Sequence, residues 1–149
     1  MDDRKVHRAL AYLATIALLG ASSPSGGVPA TPDAFMAAFK SAINTKDKAG
    51  VDRLVYWGKA DAWSRDMTES VLSIYEAETI ASAHLAPLDR SSADTFVGPN
   101  GVKYGPSIKP VYTVVLEYSH GPNVTQDEGS FVIGSTGGGW YIVAMAPVR

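Results

Sequence analysis

The chain has 149 residues, 46% of them apolar and 19% charged, with no cysteine and a formal net charge of −2. The apolar share is enough for a core and excludes a disordered polymer, and the length suits one domain. Thirteen Lys+Arg against fifteen Asp+Glu leave no basic excess for nucleic acid, while the missing cysteines exclude disulfides, thiolate catalysis and lipid acylation.

Residues 1–30 read as a targeting segment with a Pro/Ser/Gly spacer. Arg4, Lys5 and Arg8 form a positive start, and Ala9 to Ala21 is an uninterrupted weakly apolar run. As a helix that run would reach about 20 Å, short of the ~30 Å hydrocarbon core, so it suits a signal peptide better than an anchor. Cleavage after Ser22 and cleavage after Ala30 both fit. The expectation is an exported, periplasmic or secreted protein with no membrane contact after cleavage. Residues 31–149 then form a single α+β domain, mildly acidic at a net −3.

Thr31-Pro32-Asp33 is a helix start: a capping hydroxyl, a proline at the first helical position, and a carboxylate at the positive end of the dipole. Phe35, Met36, Phe39 and Ile43 continue it as one apolar stripe to Asn44. A second short helix carries Val51, Leu54 and Val55 and ends near Gly58. A third runs from Arg65 to about Thr79, opened by Asp66-Met67-Thr68-Glu69 as a capping box, with Met67, Val71, Ile74 and Tyr75 on its apolar side.

From Ile80 the period becomes two. Strands are expected over Ile80 to Leu88, around Phe96-Val97 and Val102-Lys103-Tyr104 across an Asn100-Gly101 turn, from Val111 to Tyr118, from Gly129 to Ile133, and from Trp140 to Ala144. His120-Gly121-Pro122-Asn123 marks a turn, with His120 as plain surface, and Gly137-Gly138-Gly139 marks a tight reversal. N-terminal helices packed on a curved antiparallel sheet is the fold class this order predicts.

The segments Phe35–Asn44 and Lys46–Val55, with the closing Gly139-Trp140-Tyr141-Ile142-Val143, resemble the openings and last strand of the nuclear transport factor 2-like (cystatin-like, cone-shaped) superfamily. The resemblance is architectural. Those folds usually place a hairpin between the second and third helices, and Gly58 to Ser64 is too short for one, so about four strands and a more open pocket are expected. Enzymes of the superfamily set an Asp or His beside a Tyr inside the cone. The resemblance therefore directs attention to His84, Glu117, Asp61, Tyr75, Tyr112 and Tyr118.

Alternation puts Tyr112, Val114, Leu116 and Tyr118 on one face of their strand and Glu117 on the other. If the Glu117 face is concave, the carboxylate is a general-base candidate; if not, it is a solvated residue. His84 is the second candidate base, or a hydrogen-bonded structural histidine. Tyr56, Trp57 and Trp63, with Tyr75, Tyr112 and Tyr118, are candidate walls of an apolar ligand pocket, or pieces of core. No carboxylate or histidine spacing suits a metal, the glycines from Gly134 lack a following Gly-Lys-Ser/Thr, and no nucleophile elbow is present. Asn123-Val124-Thr125 has a glycosylation sequon's form without further support.

The reading is a non-enzymatic, cofactor-free module that binds a small apolar ligand or a protein, including a second copy through the sheet. The alternative is a small cofactor-free isomerase, dehydratase or hydrolase with Glu117 or His84 as base.

Overall fold

Residues 27–119 and 128–149 are described by a computed structural model; the apolar run from Ala9 to Ala21 (expected to be part of a targeting segment), His120 and the Asn123 sequon lie outside them. Helix α1 (Pro32–Asn44) starts where the sequence places it, with the Ala34 N–H donating to Thr31 Oγ1 at 3.1 Å. Its four-residue spacing buries Phe35, Phe39 and Ile43 completely or nearly so. Helix α2 (Lys48–Arg53) is capped by Asp47, whose Oδ1 accepts the Gly50 N–H at 2.9 Å.

Two helix boundaries differ from the sequence reading. Helix α2 does not carry on to Gly58, because Val55–Tyr56 forms a strand, β1. A β-branched residue followed by an aromatic one suits an extended backbone, and the Ile142 N–H holds it by donating to Leu54 O at 2.7 Å. Helix α3 (Ala62–Glu76) begins before Arg65, since the capping carboxylate is Asp61 and not Asp66: Asp61 Oδ1 accepts the Ser64 N–H at 2.9 Å. The buried side of α3 is Ser64, Leu72 and Tyr75, whereas Val71 and Ile74, expected on the apolar side, are 44% and 49% exposed.

Strands β2 (Ile80–Ala86), β5 (Pro110–Tyr118), β6 (Glu128–Thr136) and β7 (Gly139–Val143) form with β1 a five-stranded sheet in the order β1-β7-β6-β5-β2. All its pairings are antiparallel except β1 with β7, which is parallel and sets Val55 beside Ile142. A second sheet, in the order β3-β4-β8, joins β3 (Phe96–Val97), β4 (Lys103–Pro106) and β8 (Met145–Pro147). Five strands and a second sheet replace the expected four or so, and the antiparallel sheet carries one parallel edge. Only Ala144 separates β7 from β8, so one stretch of chain serves both sheets. Gly137 and Gly138 make the β6–β7 turn at φ +58° and +79°, conformations that L side chains avoid.

The helices cover one face of the large sheet. Phe35 and Phe39 of α1 meet Phe131 of β6 at ring-centroid distances of 6.1 and 4.7 Å, over a floor of Val114, Leu116, Ile133 and Ile142. Among the described residues, no helix is long and apolar enough to cross a membrane.

Candidate functional site

Strand alternation and register decide where the two candidate bases stand. Val114, Leu116 and Tyr118 are buried beneath the helices, so Glu117 points to the opposite face of the sheet. There it lies between Ser82 on β2 and Glu128 on β6, its register partners, and accepts a hydrogen bond from Ser82 Oγ at 2.9 Å. His84 is on the same face, beside Val115. Both Glu117 and His84 are exposed, and neither lies beside a tyrosine hydroxyl among the hydrogen bonds of the described residues.

The six aromatic candidates are distributed over separate packing clusters and do not line one cleft. Tyr75 packs between Phe39 and Phe131, and its hydroxyl donates to Ser130 O at 2.7 Å. Tyr118 is 3% exposed, and its hydroxyl has no hydrogen-bond partner among the described residues. Burial, followed by the neighbouring Tyr75 and Glu78, pushes its pKa up to about 12. Tyr112 stacks on Trp140 at 5.8 Å, at 37% exposure. Tyr56 meets Tyr141 edge-on at 5.5 Å. Trp57 lies under the Arg65 guanidinium at 4.9 Å, its Nε1 buried without a partner among the described residues. Trp63 packs on Tyr104 and Phe96.

Sequence reasoning passed over Tyr104, the largest fully buried side chain among the described residues. Its hydroxyl donates to Asp61 Oδ2 at 2.7 Å and accepts from Asn100 Nδ2 at 2.7 Å. Asp61 therefore caps α3 with one oxygen and holds the small sheet with the other. The Ser64 N–H, and next the Tyr104 hydroxyl, lower the Asp61 pKa; burial raises that of Tyr104. The available signal was an Asn-Gly turn with a tyrosine three residues after the glycine, on the strand that turn creates.

A concavity does exist, on the helical side and away from the aromatic candidates. The segment Gly27 to Pro29 lies along the edge of β7, where the Trp140 N–H donates to Pro29 O at 2.9 Å. Between that segment, α1 and α2 runs a groove of about 260 Å³. Ala38, Ala42, Leu54, Val28 and Pro29 give it apolar walls, and Arg53 and Asp47 stand at its rim. Asp47 is already engaged, capping Gly50 and lying 3.8 Å from Arg53; the guanidinium, with five N–H donors, has capacity left. The sequence signal is faint: Ala38, Ser41, Ala42 and Thr45 are small residues at helical spacing, which any close-packed helix can show.

Among the described residues, no three His, Asp or Glu side chains gather as metal ligands would. No family model matches the chain, and neither the curated proteins nor the solved structures give a match.

Proposed function

We propose that this chain is an exported, non-enzymatic binding module of nuclear transport factor 2-like architecture, taking a small amphiphile with an apolar body and an anionic head. The supports for the architecture are helices gathered before an antiparallel run of strands, with the long strands β5 and β6 paired inside the sheet. The support for export is the basic start and short apolar run at the N-terminus. One observation carries the binding reading: the groove between the Gly27–Pro29 segment and α1 has apolar walls, with Arg53 and the Asp47 already bonded to Gly50 at its rim. Ligand sites are concave and mostly apolar, with a few polar groups that fix orientation, and a guanidinium prefers planar anionic groups.

The probe pair 8-anilinonaphthalene-1-sulfonate and N-phenyl-1-naphthylamine separates head from body, since the second lacks the sulfonate. The folded protein is expected to bind the sulfonate saturably, with one site and enhanced fluorescence. Arg53→Gln weakens the sulfonate about tenfold, the scale of one charged contact, and leaves the neutral probe unchanged. Ser41→Phe, placed in the groove wall, abolishes both. Sulfonate binding unaltered by Ser41→Phe would overturn the reading.

A further inference from the structure

We infer that β2 is the contact strand of a two-fold homodimer, in which β2 pairs antiparallel with β2 of a second copy and the two α1 helices lie side by side. This inference is independent of the ligand groove.

Strand β2 is the outer strand of the large sheet, bonded to β5 on one side only. At its start the open side is closed from within: Asn44 holds both main-chain groups of Ile80, and Lys40 Nζ donates to Ala81 O at 2.8 Å. From Ser82 to Ala86 no described residue bonds the outward main chain. Edge strands are commonly guarded by lysine, proline or inward-pointing charge. Ser82-Ala83-His84-Leu85-Ala86 has none of these, and proline first appears at Pro87, past the strand. What bonds such an edge is another extended chain.

The flanking helix says which chain. A groove of about 320 Å³ runs between this edge and α1, bordered on the helix by Asp33, Met36, Ala37 and Lys40. Along that border the carboxylate and the ammonium stand at equal distances in sequence from a centre between Met36 and Ala37. A two-fold axis through that centre sets Asp33 of each copy against Lys40 of the other, the reciprocal matching that an isologous interface requires. Helix α1 runs opposite to β2, since Lys40 reaches Ala81 and Asn44 reaches Ile80. The level of Met36 and Ala37 on the helix therefore falls near Ala83 on the strand. The same axis centres the strand pairing on Ala83, with Ser82 opposite His84 of the second copy. Ala37, exposed and small, allows the helices to approach. Among the described residues neither Asp33 nor Lys40 belongs to an ion pair within the chain.

Sedimentation of the purified protein at up to ~100 μM, the range in which a small interface is populated, is expected to show a dimer that salt weakens. Asp33→Lys and Lys40→Asp each place like charges across the axis and should weaken it about tenfold or more. The double variant Asp33→Lys/Lys40→Asp preserves the reciprocal pattern and should restore it. The cysteine-free chain allows a second measurement: Ala37→Cys should cross-link to itself under mild oxidation, and Ser73→Cys on α3 should not. A protein that stays monomeric, with Ala37→Cys cross-linking no faster than Ser73→Cys, overturns the inference. So does a dimer indifferent to both charge reversals.

Discussion

The carboxamide of Asn44 bonds both main-chain groups of Ile80: its Nδ2 donates to the Ile80 carbonyl at 2.9 Å, and its Oδ1 accepts the Ile80 N–H at 2.7 Å. The last turn of α1 thereby sets where β2 begins. Ile80 is only 1% exposed, so losing the side chain leaves a buried N–H without a partner. Asn44→Ala is expected to cost about 1–3 kcal/mol, the penalty of one unsatisfied buried group. Asn44→Asp retains the acceptor for Ile80 N–H but sets a carboxylate oxygen against the Ile80 carbonyl in place of the donor, and should cost as much or more. Urea unfolding of both variants measures the difference.

Two buried tyrosines in contact should respond in opposite directions. Tyr75→Phe removes the bond to Ser130 O and is expected to cost about 1 kcal/mol. Tyr118→Phe removes a hydroxyl with no partner among the described residues and should be neutral or stabilising, by up to about 1 kcal/mol. Thermal unfolding at neutral pH compares them.

The pKa directions define the pH dependence of stability. A tyrosine raised to about 12 stays neutral in the folded protein while the unfolded chain ionises near 10. Its contribution is complete below that value and is lost as pH climbs from 10 toward 12. Tyr118→Phe should flatten this alkaline limb. Asp61 acts at the other end: its folded pKa lies below the ordinary 3.8, so its contribution is present above that value and lost as pH falls through the folded pKa. Asp61→Asn should therefore remove part of the acid limb. Stability curves taken across both ranges test the two assignments separately.

Helix α3 gives a test of which side it buries. Leu72→Ala should cost about 2–5 kcal/mol, and Val71→Ser and Ile74→Ser each about 0.5 kcal/mol or less. Equal losses at Leu72 and Ile74 would contradict the observed burial.

Gly134 is held by a close approach. A Cβ there would meet the Lys109 carbonyl, which is backbone and cannot rotate away. Gly134→Ala is expected to cost about 1–3 kcal/mol, as overpacked sites do. At Gly101 nothing lies within 4 Å, and only its φ of +77° resists a side chain. Guanidinium unfolding of the alanine variants should rank Gly134 as the worse.

What could be read from the sequence was local. Thr31-Pro32-Asp33 carries its own start signal, Asn100-Gly101 its own turn, and the Phe35/Phe39/Ile43 stripe its own buried face. What could not be read depends on partners distant in the chain. Val55 and Tyr56 continue an apolar helical pattern as well as suiting an extended backbone, and pairing with β7 decides for the strand. The sequence sets Val71 and Ile74 on the apolar side of α3, and tertiary packing buries Leu72 in their place. Glu117 was placed correctly opposite Leu116 and Tyr118, but which face the helices cover is a tertiary fact. For the aromatic candidates the sequence leaves a cleft wall and a piece of core alike open, and in the fold these rings pack in separate clusters.

The parallel pairing of β1 with β7 also bears on timing. Val55 finds its neighbour in Ile142, close to the far end of the chain, and β7 is flanked by strands on both sides. Without residues 139–147 there is nothing to pair with β1, nothing to complete β6, and no third strand for the small sheet. Loop closure of that length must come before the contacts that reward it. Until residues 139–147 are present, the helices and β1 have only part of their sheet to pack against, so the domain closes late in folding.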